Sequence, residues 1–313
     1  MNKPLSKLFV LPIAALAGLA ATSAVQAQDL TPPVVVQPVA NVVVPVGTTQ
    51  SKVKLKKTFA LQGISGQVVR FTTSLGRMDV ALDAVNAPLS VANFLGYVDR
   101  GNYTNSFLHR SVQNGIFIIQ GGGFYIPGDD IESIPSVDPV VNESKVPNTR
   151  GTLSMARTND PNSGTSQWFF NNQDNSAGLG NSTTTGYAVF GRVITNGEAV
   201  MDALGALLIV NAGGVFAELP VLPTYTGGQI ELTDLARVNS VTRIPLISKV
   251  EGEAGLLKIK ATSSNPGLVV PVVSKDKVLL QYVSGATGMA TISLKAKDTA
   301  GTKVKTSFTV TVQ

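Results

Sequence analysis

Phe117-Ile118-Ile119-Gln120-Gly121-Gly122-Gly123 follows Phe107-Leu108-His109-Arg110, with Arg110 and Phe117 seven positions apart. The apolar run reads as a strand. The three glycines closing it read as a tight backbone turn, because a chain without Cβ atoms bends where others clash. A glycine-rich phosphate loop is the competing reading, but it needs a helix carrying Lys-Ser/Thr, and none follows Gly123. Arg110 is then a cation just upstream of a strand with one glutamine. In that setting an arginine either anchors a structural ion pair or serves a site.

Outward from this stretch, residues 66–244 show short alternating strands and two helical stretches. Val68-Val69-Arg70-Phe71-Thr72-Thr73 and Arg77-Met78-Asp79-Val80-Ala81-Leu82 flank Ser74-Leu75-Gly76 and predict a hairpin. Pro88 opens a helix on which Val91, Phe94, Leu95 and Val98 recur at i, i+3, i+4 and i+7, with Gly101 as the stop. A shorter helix begins after Gly197, with Val200, Ala203, Leu204 and Leu207 as one apolar stripe.

The flanks differ in texture. Residues 28–62 are rich in proline and valine, and predict strands over Val39–Val46 and Lys52–Lys56. In the second of these, Lys52, Lys54 and Lys56 alternate with Val53 and Leu55. A solvated or edge face kept soluble by lysine is preferred here over an anionic-surface contact. The tail, residues 248–313, predicts five strands: Leu256–Ala261, Leu268–Val273, Lys277–Val283, Met289–Lys295 and Lys303–Val312. A seven-stranded immunoglobulin-like sandwich needs two more, and the lead segment has two unclaimed. The expectation is one discontinuous sandwich with the middle domain inserted into it.

Composition narrows the function classes. The 313 residues carry 25 Lys+Arg against 20 Asp+Glu, a formal charge of +5, with 43% hydrophobic and 14% charged residues. Real cores are expected and disorder is not. The charge excess is too small to argue for nucleic acid. With 0 cysteines, disulfides, thiolate zinc sites and cysteine nucleophiles are excluded, and the single His109 argues against a His-rich metal centre or a Ser-His-Asp triad. Residues 1–27 pair basic Lys3 and Lys7 with an apolar run from Leu8 to Ala21 and end in Val25-Gln26-Ala27, the pattern of a cleaved export signal. The run is interrupted by Pro12 and short of the roughly 20 residues of a spanning helix, so no membrane insertion is expected after cleavage. A periplasmic or secreted protein follows from this reading.

Between Phe107 and Gly191 the chain resembles the cyclophilin family of peptidyl-prolyl isomerases. The resemblance rests on Phe107-Leu108-His109-Arg110, Phe117 to Gly123, Gly151-Thr152-Leu153-Ser154-Met155-Ala156-Arg157, Ser166-Gln167-Trp168-Phe169-Phe170 and Gly186-Tyr187-Ala188-Val189-Phe190-Gly191. It extends over residues 66–244 and implies a closed eight-stranded antiparallel barrel capped by two helices, acting on proline-containing polypeptides without cofactor or metal. By the resemblance Arg110 is the donor to the prolyl nitrogen. Phe117, Ile118, Phe169 and Leu179 line the proline cup, and Gln120 orients Arg110 and the substrate. Ala156, Arg157 and Gln167 border the groove, and Tyr187 stands where many relatives have histidine or tyrosine. His109 is expected to be packed rather than a base, since the reaction moves no proton.

Two departures stand out. Relatives usually separate the arginine and phenylalanine by five positions with a Pro-Gly turn, so the segment Ser111–Ile116 reads as a longer, less stiff loop. Gly178 replaces the aromatic that usually precedes the pocket leucine, removing one wall of the groove. The tail, through Thr306 to Val312 and the Ser263-Ser264-Asn265-Pro266 turn, weakly resembles bacterial cadherin-like and immunoglobulin-like repeats, which implies a surface or matrix partner. The competing function is a non-catalytic module that only holds proline-containing segments or a partner, joined to an adhesion-type sandwich.

Overall fold

The structure, a computed structural model, describes residues 32–64, 66–180, 185–194, 197–247, 255–299 and 301–313. The export signal expected over residues 1–27 lies outside the described residues. Two compact units divide the chain: Gly66–Arg243, and a second drawn from Asp29–Ser65 and Ile244–Gln313.

The lead segment carries β1 (Pro33–Val35), β2 (Val42–Val44), β3 (Gln50–Lys54) and β4 (Phe59–Leu61). Four short strands thus stand where the sequence pattern predicts two. Turns cut the longer runs: Thr48 N–H donates to Pro45 O with Gly47 at φ 92°, and Thr58 N–H donates to Leu55 O. The first unit runs β5 (Val68–Thr73), β6 (Gly76–Leu82), α1 (Pro88–Asp99), β7 (Ser106–Phe107), β8 (Arg110–Asn114), β9 (Ile116–Gly121), β10 (Phe124–Tyr125), β11 (Glu132–Ser133), β12 (Thr152–Met155), β13 (Trp168–Asn171), α2 (Ser176–Leu179), β14 (Val189–Ile194), α3 (Gly197–Gly205), β15 (Leu208–Val210), β16 (Leu219–Val221) and β17 (Arg237–Ile244). The tail adds β18 (Leu257–Ser263), β19 (Val269–Ser274), β20 (Lys277–Tyr282), β21 (Gly288–Asp298) and β22 (Lys303–Val312).

In the first unit eleven strands form one curled sheet, in the order β11-β10-β7-β17-β5-β6-β14-β12-β13-β9-β8, and β15 pairs with β16 apart from it. β7 and β8 stand far apart in that order, yet only Leu108 and His109 separate them in sequence. The Leu108 amide donates to Ala236 O, on the β17 side, and the His109 amide to Gln120 O, on β9. One kinked stretch of chain therefore borders both sides of the sheet. The core it encloses is aromatic. Phe71 meets Trp168 and Phe170 edge-on, with ring centroids 5.0 and 5.3 Å away, and Phe94 stacks on Tyr103 at 5.4 Å. Such geometries add to what area burial alone contributes.

Helix α1 begins at Pro88, as its sequence predicts, and buries Val91, Phe94, Leu95, Tyr97 and Val98. Its free N-terminal amides find a carboxylate from elsewhere in the fold: Leu89 and Ser90 N–H donate to Glu143 Oε1 and Oε2 at 3.1 and 2.8 Å. The stripe predicted on α3 is shifted. Met201 and Leu204 are buried, Val200 is half-buried and Ala203 is exposed, because the helix stops at Gly205 and Leu207 packs from beyond it. A single-turn α2 joins the two predicted helices.

The second unit has three sheets. One has the order β18-β21-β22-β2, another β19-β20-β3, and β1 pairs with β4. β2 lies parallel to β22, with Val42 opposite Val310, and β3 antiparallel to β20, with Val53 opposite Val278. Side chains alternate as the two-residue period requires. Ile292, Leu294 and Ala296 of β21 are buried and Thr291, Ser293 and Lys297 exposed, while Val278 and Leu280 of β20 are buried.

Candidate active site

Four adjacent strands place the central residues in one row. Across β8, β9, β13 and β12, Arg110 lies opposite Gln120, Gln120 opposite Phe169, and Phe169 opposite Ser154. Residues in register on neighbouring strands project to the same face. Ile118 sits two positions before Gln120 and opposite Val112. Ile118, Phe169, Leu179 and Val112 form a separate buried apolar cluster, with Ile116, Ala156 and Tyr187 packed against it. Trp168 and Phe170, on either side of Phe169, turn to the main core.

Phe117 is not part of that cluster. Alternation along β9 sends it to the side opposite Ile116, Ile118 and Gln120, where it is half-buried. Its backbone is clamped by Asn175, whose Oδ1 accepts from Phe117 N–H at 2.9 Å and whose Nδ2 donates to Phe117 O at 2.9 Å.

The segment Ser111–Ile116, predicted as a slack loop, is instead part of a regular hairpin. β8 and β9 pair without interruption from Arg110↔Gln120 to Asn114↔Ile116, and Gly115 turns the chain at φ 78°. A Cβ added to Gly178 would lie 3.0 Å from Ile116 Cγ2. Ile116, carried by the lengthened hairpin, therefore fills the space beside Leu179 that the missing aromatic leaves.

Polar contacts run along the same row. Arg110 Nε donates to Glu218 Oε2 at 2.7 Å, and its Nη1 makes a long contact of 3.5 Å to Gln120 Oε1. Gln120 Nε2 donates to Gln167 Oε1 at 2.8 Å. Glu218 is held from its backbone as well, since its carbonyl accepts from Ser111 N–H at 2.8 Å. A guanidinium has five N–H groups in a fixed fork. The Glu218 bond uses Nε and the long Gln120 contact uses Nη1, which leaves Nη2 for a ligand beside the apolar cluster.

Arg157 stands over the Tyr187 ring at 4.3 Å and donates through Nη2 to Thr185 O at 2.7 Å, so its charge is spent on holding this rim. Tyr187 in turn meets Phe169 edge-on, at 5.6 Å between centroids. Ala156 N–H donates to Gln167 O, which ties the two groove residues together.

His109 is buried beneath the row. Burial pushes its pKa down to about 4, against a hydrogen bond with Gln167 that raises it, and the nearby Arg110 charge lowers it further. Its Nδ1 has no hydrogen-bond partner, and the ring meets Phe124 edge-on at 5.1 Å. A Cβ at Gly123 would fall 3.0 Å from His109 Cε1 and 3.2 Å from Gln167 Cδ, so glycine there lets these two side chains meet.

Several contributors escape a reading of the sequence. Glu218 comes from a segment 108 positions away. Ile116 looks like loop. Asn148, Asn171 and Asn175 form a buried amide network: Asn171 Nδ2 donates to Thr152 Oγ1 at 2.9 Å, Asn175 Nδ2 to Asn171 Oδ1 at 2.8 Å, and Asn148 Nδ2 to Tyr187 O at 3.1 Å. It fixes the loops bearing Leu179 and Tyr187. The Asn-rich composition of residues 171–175 was the only hint.

The family described as cyclophilin type peptidyl-prolyl cis-trans isomerase/CLD matches residues 68–220. A peptidyl-prolyl cis-trans isomerase, cyp18, of Streptomyces antibioticus is 40% identical over 161 residues, covering 50% of this chain and 92% of the relative. The chain belongs to the cyclophilin family. Peptidyl-prolyl cis-trans isomerase A of Dickeya dadantii is 41% identical over 46% of this chain and 74% of its own, and isomerase B of Escherichia coli is 39% identical over 47% and 88%. The protein is thus a cyclophilin-type peptidyl-prolyl cis-trans isomerase, and these matches account for about half of its length.

Two outcomes follow for this cyclophilin. Because the folded-state pKa of His109 is depressed, the unfolded chain binds the extra proton first. Stability is then fully present above about pH 6.5 and is lost as pH falls towards about 4. The loss from this group is on the order of 2–3 kcal/mol, and urea unfolding at the two ends of that range should show it in the parent and not in His109→Gln. Glu218→Ala should lower kcat several-fold with KM and melting temperature nearly unchanged, since a half-exposed ion pair adds little stability. In an Arg110→Ala background the same change should have no further effect; an equal loss in both backgrounds would show that Glu218 does not act through Arg110.

Proposed function

We propose that this isomerase acts on X-Pro bonds of exported proteins and assists their folding in the periplasm or outside the cell. The leader pattern of residues 1–27 supports the compartment. The site reading rests on one observation: a guanidinium held through Nε and Nη1 with Nη2 left over, in register with Gln120 and Phe169 and beside a buried apolar cluster.

The chemistry follows from the peptide bond. Resonance between nitrogen and carbonyl sets a barrier of about 18–20 kcal/mol, and uncatalysed X-Pro isomerisation takes tens to hundreds of seconds. A donor aimed at the prolyl nitrogen localises its lone pair as the bond twists and so stabilises the twisted state more than either planar one. Arg110 is assigned that role. Gln120 and Glu218 hold the guanidinium from two sides, which reduces what must be ordered when substrate arrives. Ile118, Phe169 and Leu179 receive the proline ring, and Ala156, Gln167, Arg157 and Tyr187 form the rim for the preceding residues. Phe117, whose ring faces away from the cluster, serves through its clamped backbone. No proton moves, which agrees with a buried, neutral His109.

The strand order supports closure into an eight-stranded barrel, with β7 and β8 acting as one kinked strand between β17 and β9. Likewise the β2–β22 and β3–β20 pairings support a single immunoglobulin-like module into which residues 66–244 are inserted, serving as a docking unit.

Arg110→Ala should reduce kcat/KM for a proline tetrapeptide in a protease-coupled assay at least tenfold with an unchanged melting temperature. A charge-assisted hydrogen bond made chiefly in the transition state is worth about 1.5–3 kcal/mol. Undiminished turnover in this variant would show that Arg110 is not the donor to the prolyl nitrogen. For the module, residues 248–313 alone should remain unfolded or aggregate through an open sheet edge, and joining residues 28–62 through a short linker should restore a cooperative melt. Dispersed amide resonances from the tail alone would refute the insertion.

A further inference from the structure

Six lysines form a grid on one face of the β18-β21-β22-β2 sheet. Lys258 is opposite Lys297, which is opposite Lys303. Two positions along, Lys260 is opposite Lys295, which is opposite Lys305. All but the half-buried Lys295 are exposed. The next row on this face is Thr262, Ser293 and Ser307, all hydroxyls.

Directly opposed like charges destabilise a strand pair, and here they occur four times. The cost is visible at Lys295, whose pKa is lowered first by the charge of Lys303, then by burial, and then by Lys305, Lys260 and Lys297. Protection of an open sheet edge explains lysines on an outer strand such as β18. It does not explain Lys295 and Lys297, because β21 is paired on both sides at those positions. Nor, among the described residues, do acids offset the grid. Among the described residues of this unit the only acids are Asp276, at the β19–β20 turn, and Asp298, buried on the opposite face.

We propose that this face docks on an anionic lipid bilayer surface. Neighbouring strands stand about 4.8 Å apart and alternate residues on one strand about 6.8 Å, so the six ammonium groups project from one side of a broad patch. A charged plane meets all of them together, whereas an extended polyanion lies along one row. The unit has no arginine to grip a phosphate with a fork, and no exposed aromatic ring among its described residues on which a base would stack. Lysine near an anionic leaflet strengthens binding about fivefold per residue, and hydroxyls beside it suit lipid headgroups. No described helix is long and apolar enough to cross a membrane; the contact proposed is peripheral and independent of the isomerase site.

Flotation of the full-length protein with phosphatidylcholine vesicles, with and without phosphatidylglycerol, tests this. Binding should require phosphatidylglycerol and fall more than tenfold between low and high salt. Lys260→Thr/Lys295→Thr/Lys297→Thr should weaken it at least about 25-fold, while its melting temperature stays equal or rises because opposed charges are removed, and tetrapeptide isomerisation is unchanged. Lys52→Thr/Lys54→Thr, on the other sheet, should retain most of the binding. The proposal is overturned by equal binding of the triple variant and parent, by absence of vesicle binding, or by binding to single-stranded DNA or polyphosphate with vesicles left untouched.

Discussion

The site depends on strand register. Arg110, Gln120, Phe169 and Ser154 belong to four strands and three separate stretches of sequence, and they face one another only because β8, β9, β13 and β12 pair in one alignment. A slip by one residue would turn Gln120 inward and Ile119 out. The aromatic core under these strands resists such a slip, since Trp168, Phe170 and Ile119 are buried on the inner side while Phe169 and Ile118 are buried on the outer. Both faces of β13 are thus specified by packing. Alignment of the row is a by-product of a core that tolerates one register.

The same dependence explains how two departures from the family pattern coexist. Lengthening the arginine–phenylalanine segment alone would loosen the hairpin, and losing the aromatic at position 178 alone would open the pocket. Pairing through to Asn114↔Ile116 absorbs the added residues as strand, and it delivers Ile116 to the space above Gly178. One change supplies what the other removes. Below the row, the chain of contacts from Glu218 through Arg110, Gln120 and Gln167 to His109 ends at a ring that burial keeps uncharged. A protonated imidazole there would repel the guanidinium. A neutral one leaves Arg110 as the row's positive charge.

Much of this was legible in the sequence because local pattern carried it. The β5–β6 hairpin, the α1 stripe from Val91 to Val98 and the five tail strands follow from period and turn chemistry over a few residues. What stayed hidden depends on distance or on competition between local signals. Glu218 meets Arg110 only through the path of β15 and β16, and no spacing rule links positions 110 and 218. The lead segment reads as two strands because valine runs signal β structure more strongly than Pro45 and Gly47 signal a turn. The Ser111–Ile116 segment reads as loop because the family's shorter spacing and Pro-Gly turn are absent; in the fold only Gly115 turns, and Gln113 is held in place by donating to Gly205 O at 2.7 Å.

In the reading proposed above, the isomerase site takes one ring, one amide and a short stretch of backbone before them. Such a site offers few contacts by which to select one protein among many, since each added discrimination needs a further buried contact. Selection then falls to where the enzyme is held. Tethering raises the effective concentration of a weakly chosen substrate without any new contact at the active site. A second unit with opposed lysines on one face fits that division when, as proposed, an anionic surface neutralises them. Recognition by location, with chemistry kept general, requires the two tasks to sit on separately packed units, and the contact pattern of this chain divides in that way.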